Sequence, residues 1–292
     1  MATITGTEDK DLLYGTPLKD LIDGLGASDI VFGRAGDDRI YGRAGADRLY
    51  GEGGTDYISG GDGNDVLFGQ DGRDRLWGDA GDDLINGGTG NDDLYGGDGN
   101  NTLKGNEGND RLYADFGIDR LDGGSGNDQL FLDGPGGRMI GGDGDDILHS
   151  TGSSTLFAAI LIDGGTGRDT FVYAFGNDPD PNDNPYGQMS DSNNLITDFQ
   201  SGQDQLDISE RWADPHKQVR IDYTFDMLDT NKDGVLGLGD AGVSITQPSF
   251  SGIKADSLTI NFWQMAGGSA GATGRLALYG VTELHPGDIV AG

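Results

Sequence analysis

Gly60-Gly61-Asp62-Gly63-Asn64-Asp65-Val66-Leu67-Phe68 is the stretch that decides the fold. Slid along the chain, it recurs with a period of nine residues in unbroken register from Gly6 to His149, which makes 16 units. Position 1 is Gly in 14 of them, with Ala114 and Leu132 the exceptions, and position 4 is Gly in 12. Position 6 is Asp in 14, departing only at Asn101 and Gly137. Position 8 is apolar in all 16, from Leu13 and Ile22 to Met139 and Leu148, and position 9 is aromatic in nine, including Tyr41, Phe68, Trp77 and Tyr113. Gly164–Val172 forms a seventeenth unit after an insert that breaks the register. A fixed period sustained over this length signals stacked repeats, each too small to bury its own apolar face.

Each unit divides into two physical halves. The three residues around position 8 predict a short strand with one inward side chain. The six residues Gly-Gly-x-Gly-x-Asp predict a turn, where Gly supplies positive φ and lets backbones approach closely. Two units make one coil of 18 residues with a turn at each end. Stacked coils then form two parallel sheets facing across a thin core of Leu and Ile, and so slender a core needs help at the turns.

The composition agrees. The 292 residues carry 50 acidic against 19 basic side chains, a net charge of −31, and 55 Gly. Only five of the acids are Glu, namely Glu8, Glu52, Glu107, Glu210 and Glu283, so 45 are Asp. Charge and Gly alone suggest disorder; the periodicity overrides that, and short carboxylates on turns are good ligands for hard cations. So acidic a surface argues against nucleic acid, whose binding rests on cationic contacts to phosphate. There is no Cys, which excludes disulfides, thiolate metal sites and Cys nucleophiles. The longest apolar run, Leu156 to Ile162, is far too short for a membrane span, and no apolar leader follows Met1.

Residues 18 apart, such as Asp38, Asp56 and Asp74, are expected one strand spacing apart, roughly 5 Å. Carboxylates at that distance repel by about 0.8 kcal/mol in water and around 3 kcal/mol at an effective dielectric of 20. A column of them drives a metal-free roll apart, and Ca²⁺ between successive turns reverses the sign, taking carboxylate and backbone carbonyl oxygens. About 14 ions, at roughly +28, nearly cancel the net charge.

The units resemble the Gly-Gly-x-Gly-x-Asp-x-(apolar)-x nonapeptide of the RTX, or hemolysin-type calcium-binding, family over about half the chain. The resemblance implies an all-β fold, a right-handed parallel β-roll with Ca²⁺ held between turns, and export by a type I secretion apparatus. The candidate calcium ligands are Asp29, Asp38, Asp47, Asp56, Asp65, Asp74, Asp83, Asp92, Asp110, Asp119, Asp128, Asp146 and Asp169. With them go the turn glycines Gly33, Gly36, Gly42, Gly45, Gly60, Gly63, Gly87 and Gly90. The first turns, with Asp9 and Leu18 at position 4, and the unit Leu132 to Ile140, with Pro135 and Gly137, depart from the pattern.

Residues 1–172 are read as the roll and 173–292 as a β-rich C-terminal cap. Ala174 to Asn194, with Pro179, Pro181 and Pro185, reads as an exposed loop. Leu195 to Ser209 resembles the segment that follows the repeats in serralysin-type proteases. That resemblance implies two further roll strands and a last Ca²⁺ near Asp198 or Asp204, the alternative being a plain strand-turn-strand cap. Asp229-Thr230-Asn231-Lys232-Asp233-Gly234-Val235-Leu236-Gly237-Leu238-Gly239-Asp240 matches an EF-hand loop: Asp229, Asn231 and Asp233 at positions 1, 3 and 5, the Val235 carbonyl at 7 and Asp240 at 12, with Tyr223 to Leu228 as an entering helix. Leu258 to Trp263 and Arg275 to Tyr279 read as strands, and Leu284 to Gly292 resembles an uncleaved type I secretion tail.

No catalytic constellation emerges. His149, His216 and His285 form no His-Glu-x-x-His, and Gly267-Gly268-Ser269-Ala270-Gly271 lacks Asp and His partners in hydrolase order. The repeats start at Gly6, so no catalytic domain is expected ahead of them. The expectation is a secreted, extracellular, non-enzymatic calcium-binding protein that folds on binding several Ca²⁺ ions, as a structural or adhesive component with a cell-surface or matrix polysaccharide as candidate partner. The alternative is a calcium-binding and secretion module of a larger enzyme such as a protease, lipase or epimerase; a membrane-active reading lacks an apolar segment.

Overall fold

The structure, a computed structural model, describes residues 1–150, 160–177, 192–200, 203–214, 217–222, 243–246, 249–250, 253–254, 257–261, 274–279 and 289–290. Its chain forms two compact units, Met1–Leu132 with Ile140–Gly144, and Asp133–Met139 with Asp145–Gly292. All regular elements among the described residues are strands.

The first unit contains β1 (Thr3–Thr5), β2 (Leu12–Tyr14), β3 (Leu21–Asp23), β4 (Ile30–Ala35), β5 (Arg39–Ala44), β6 (Arg48–Gly54), β7 (Tyr57–Asp62), β8 (Val66–Gly72), β9 (Arg75–Ala80), β10 (Leu84–Thr89), β11 (Asp93–Tyr95), β12 (Thr102–Glu107), β13 (Arg111–Ala114), β14 (Ile118–Ser125) and β15 (Gln129–Leu132). Odd-numbered strands pair with odd and even with even, always in parallel and always 18 residues apart, as in Ile40↔Ile58 and Leu49↔Leu67. Consecutive units therefore alternate between two sheets, as a coil of two nonapeptides requires.

Position 8 faces inward in both sheets. From Ile22 and Val31 onward these side chains are fully buried, Leu67, Leu76 and Ile85 among them. Positions 7 and 9 point outward, the necessary consequence of a two-residue strand period. Burying each Leu or Ile is worth roughly 1.5–3 kcal/mol, one such side chain for nine ordered residues. The first coil closes less tightly: Leu13, at its position 8, is only half-buried.

Several strands are longer than the three residues that the pattern predicts. β4 pairs with β6 beyond the strand core, through Arg34↔Glu52 and Ala35↔Gly53. The first half of the turn is straight enough to extend the ladder, at the cost of left-handed φ at position 2, where Arg34 lies at 80° and Glu52 at 74°.

Outward aromatic side chains stack along the coil axis. Tyr14, Phe32, Tyr50 and Phe68 form one column with centroids 4.8–5.2 Å apart. Trp77, Tyr95, Tyr113 and Phe131 form another at 4.7–5.0 Å. Ser59 leaves a gap at position 9 of the second column, and Tyr57, from position 7, leans across to stack on Trp77 at 4.5 Å. Offset stacking of this kind adds about 0.5–1.5 kcal/mol per pair.

β16 (Gly136–Asp143) contributes residues to both units. The second unit holds β17 (Ile147–Ser150), β18 (Ile160–Thr166), β19 (Thr170–Asn177), β20 (Ser192–Ile196), β21 (Gln205–Asp214), β22 (Lys217–Asp222), β23 (Val243–Thr246), β24 (Ser249–Phe250), β25 (Ile253–Lys254), β26 (Ser257–Asn261), β27 (Gly274–Tyr279) and β28 (Ile289–Val290). β17, β19 and β21 continue the parallel arrangement, as do β18, β20 and β27. β22, β26 and β23 then add antiparallel strands. Leu195 to Ser209 thus supplies two more roll strands, and the alternating stretches near 258 and 275 are β26 and β27. The loop expected from Ala174 begins later, because β19 runs to Asn177 and pairs with β21 through Asn177↔Trp212. The uninterrupted apolar run Phe171-Val172-Tyr173-Ala174-Phe175, rich in aromatic residues that favour strands, outweighs the polar residues beyond. The rest of that loop, residues 178–191, lies outside the described residues.

Candidate metal centre

The position-6 aspartates form two columns, one along each edge of the first unit, and they are buried despite their charge. One carboxylate oxygen has a fixed task. The backbone N–H of one Asp donates to Oδ1 of the Asp one coil on, as in Asp20 to Asp38, Asp38 to Asp56, Asp47 to Asp65 and Asp56 to Asp74, at 2.7–2.8 Å. Asp110 donates likewise to Asp128 at 2.8 Å. These bonds satisfy backbone donors that the turn would otherwise orphan.

The other oxygen has no donor. Oδ2 of Asp29, Asp38, Asp47, Asp56, Asp65, Asp74, Asp83, Asp92, Asp110 and Asp119 is buried with no hydrogen-bond partner in the protein. Glycine at position 1 makes the room. A Cβ on Gly33 would lie 2.8 Å from Asp38 Oδ2 and 2.7 Å from the Gly51 carbonyl oxygen. Gly42, Gly60 and Gly87 stand in the same relation to Asp47, Asp65 and Asp92. The position-4 glycines Gly36, Gly45, Gly63 and Gly90 lie at φ between +118° and +138°. At Gly63 an added Cβ would fall on the Gly45 carbonyl oxygen of the previous coil.

Burial raises these carboxyls. Asp38, Asp56 and Asp65 are pushed up to about 7, Asp74, Asp83, Asp110 and Asp119 to about 6, and Asp92 to about 8. Desolvation is the largest cause, partly offset by the backbone N–H donated from the preceding coil, with neighbouring carboxylates adding a further rise. Asp29 and Asp47 move in the same direction for the same reason. Repulsion between stacked carboxylates therefore does not act alone, because the metal-free column also holds protons. A buried anionic oxygen without a donor demands positive charge, from a proton or a cation.

The donor set suits a hard cation. Among the described residues no three acidic or His side chains converge on one point; the oxygens gathered at each turn are one carboxylate and backbone carbonyls. Asn101, the natural exception at position 6, shows which carbonyls face that oxygen. Its Nδ2 donates to the carbonyls of Gly97 at 3.2 Å and Gly99 at 3.4 Å, positions 2 and 4 of its own turn. Where Asp replaces Asn, three oxygens and no hydrogen meet at that place. All-oxygen sites rich in carbonyls are the chemistry of Ca²⁺, and these residues fit it. Position-4 glycines were among the candidates read from the sequence; the position-2 carbonyl was not, because the residue there varies from unit to unit.

Asp11 and Asp20 differ. Asp20 Oδ2 accepts from Thr16 N at 2.6 Å and Thr16 Oγ1 at 2.7 Å, and Asp11 Oδ2 from Thr7 N at 2.6 Å and Thr7 Oγ1 at 3.0 Å. The Ala2 backbone N–H, with these Thr16 donors, holds Asp20 below the usual carboxylate range. A Thr at position 2 was the available signal.

In the second unit, Asp146 N donates to Asp169 Oδ1 at 3.0 Å and Asp169 N to Asp204 Oδ1 at 3.1 Å, the same bonding pattern within that unit. Burial raises Asp169 to about 6. Asp204 Oδ2 accepts from Gln200 N at 2.8 Å, and Asp198 accepts from Gly164 N at 2.9 Å and Gly165 N at 2.6 Å. Burial, with the Asp198 carboxylate beside it, raises Asp163. The EF-hand-like residues Asp229, Asn231, Asp233, Val235 and Asp240, the entering helix, Gly267–Gly271, His216, His285 and residues 284–288 of the tail lie outside the described residues. No helix among the described residues is long and apolar enough to cross a membrane.

The RTX calcium-binding nonapeptide repeat model matches at residues 5–40, 23–58, 32–67, 59–94, 68–103, 95–130, 138–153 and 161–178, more than half of the chain. No curated protein sequence matches it. Among solved structures, the crystal structure of extracellular lipase LipA from Serratia marcescens is similar at 16% identity, with a TM-score of 0.22 over 82% of this chain and 40% of that one. The chain therefore spans under half the length of that protein. Sixteen in-register nonapeptides, a parallel β-roll and columns of buried turn aspartates converge with the matched repeat: this chain belongs to the RTX calcium-binding nonapeptide repeat family.

Proposed function

We propose that this chain is a secreted protein that folds on binding several Ca²⁺ ions outside the cell and serves there as a structural or adhesive component. The observation that carries the reading is the run of buried Oδ2 atoms with no protein donor, from Asp29 to Asp119. Calcium supplies the positive charge that these oxygens and the turn carbonyls need. The aspartates orient the turns through Oδ1, the position-1 and position-4 glycines let successive turns close up, and the apolar position-8 side chains exclude water between the sheets. The ligand set is that of the position-6 aspartates with the turn carbonyls; Asp198, Asp204 and the loop Asp229–Asp240 are further candidate sites.

The mechanism is linkage. Ions that bind the folded roll and not the unfolded chain stabilise it, each site adding about 2.7 kcal/mol at 100 times its dissociation constant. Where Ca²⁺ is scarce the chain stays unfolded and exportable through a type I apparatus; outside, Ca²⁺ folds it and opposes its return. Residues 173–292 then act as the cap that protects the last strands, with the export signal at the end. Circular dichroism and titration calorimetry across Ca²⁺ concentration test this. The expected result is a coil-to-β transition at roughly sub-millimolar to millimolar Ca²⁺, as in extracellular modules. Full β structure in EDTA at pH 8 with no ion uptake overturns it.

A further inference from the structure

We propose that three turns of the unit Met1–Leu132 are closed by the chain's own donors and take no cation: Thr7–Asp11, Thr16–Asp20 and Gly96–Asn101. The inference rests on the calcium reading above and concerns which turns it excludes. At Asn101 the amide nitrogen occupies the place of Oδ2. It delivers hydrogens to the Gly97 and Gly99 carbonyls of its own turn, whereas Oδ2 of the aspartates from Asp29 to Asp92 has no hydrogen-bond partner in the protein. Asn101 Oδ1 keeps the column intact, accepting Asp83 N at 3.0 Å, and Asn101 N donates to Asp119 Oδ1 at 2.7 Å. The turn thus has the geometry of its neighbours, with a neutral donor where they need a positive ion.

The two N-terminal turns reach the same end by another route. Their Oδ2 atoms each take two hydrogens from a position-2 threonine, so neither oxygen is left for a metal. Their backbones differ as well. Positions 2 and 4 show no left-handed φ in these turns, whereas the next turn has Leu25 at 77° and Ala27 at 63°. Their carbonyls are therefore not presented as in the later turns. The consequence is an asymmetric molecule. The edge carrying Asp38, Asp56, Asp74, Asp92 and Asp110 is a continuous cation column. The opposite edge starts at Asp29 and is interrupted between Asp83 and Asp119.

Ion counting on the full-length chain tests this, by elemental analysis and calorimetry at saturating Ca²⁺ with far-ultraviolet circular dichroism as the folding check. Asn101→Asp is expected to bind one more Ca²⁺ than the parent while keeping its far-ultraviolet spectrum at saturating Ca²⁺, since it adds an unpartnered carboxylate oxygen. Asp65→Asn is expected to lose an ion, and Asp20→Asn to keep the parent count. A folded Asn101→Asp chain at the parent count overturns the inference, as does an Asp20→Asn chain that loses an ion; the second variant decides if the first does not fold. A parent chain that binds no calcium takes down the calcium reading and this inference with it, whereas a calcium-binding parent with either contrary variant sinks the inference alone.

Discussion

Acidifying the calcium-stripped chain should fold it. Nine buried carboxyls carry raised values: Asp92 at about 8, Asp38, Asp56 and Asp65 at about 7, and Asp74, Asp83, Asp110, Asp119 and Asp169 at about 6. In the unfolded chain an Asp titrates near 3.9. The folded state therefore holds protons that the unfolded chain has released, and stability falls as pH rises wherever that is so. The contribution is complete below about pH 4 and is lost as pH climbs through the folded values, between about 6 and 8. Each proton taken up on folding is worth about 1.4 kcal/mol per pH unit, so even a few acting together outweigh the marginal stability of a thin-cored roll. Far-ultraviolet circular dichroism and urea titration of metal-free chain from pH 8 to pH 5, at fixed ionic strength, should show β structure appearing with a midpoint between 6 and 8. At saturating Ca²⁺ the slope should invert, because protons then compete with the cation for the same oxygens. A metal-free chain whose β content is flat or falls from pH 8 to pH 5 refutes the claim that buried Oδ2 atoms are what the metal-free roll lacks.

Two substitutions probe the scaffold in the calcium-bound state. Leu76→Ala removes a fully buried position-8 side chain from a core one layer thick and should cost about 2–5 kcal/mol, read from chemical denaturation in Ca²⁺. Gly72→Ala places a Cβ at φ +144° on the Gly54 carbonyl oxygen of the previous coil. It should destabilise by at least ~1–3 kcal/mol of backbone strain and shift the calcium midpoint of folding upward, since it separates two turns; an unchanged midpoint contradicts the close stacking.

Outward from Gly60–Phe68, the period of nine already dictates two sheets, an inward position 8 and columns of turn aspartates. Each follows from local rules: alternation along a strand, glycine in turns, and a repeat long enough to rule out accident. Leu67 and Leu76 at the core and Asp56 above Asp38 were legible this way, whereas Leu195 to Ser209 as further roll strands rested on a resemblance that left a plain strand-turn-strand cap as the alternative. What was not legible lies in contacts made 18 residues away. Asp carries two oxygens, and no pattern says that Oδ1 takes the next backbone N–H while Oδ2 is left bare. That division depends on how far the turns rise per coil and where the carbonyls of positions 2 and 4 point. Likewise Tyr57 repairs the aromatic column above the gap at Ser59 because neighbouring coils bring the rings within stacking distance. Repeat, sheet and cation chemistry are thus written residue by residue in the chain. Which turns need the cation, and which are closed by Thr7, Thr16 or Asn101, was set by three-dimensional placement, because a hydrogen bond is decided by the distance and direction of a partner that the linear order does not specify.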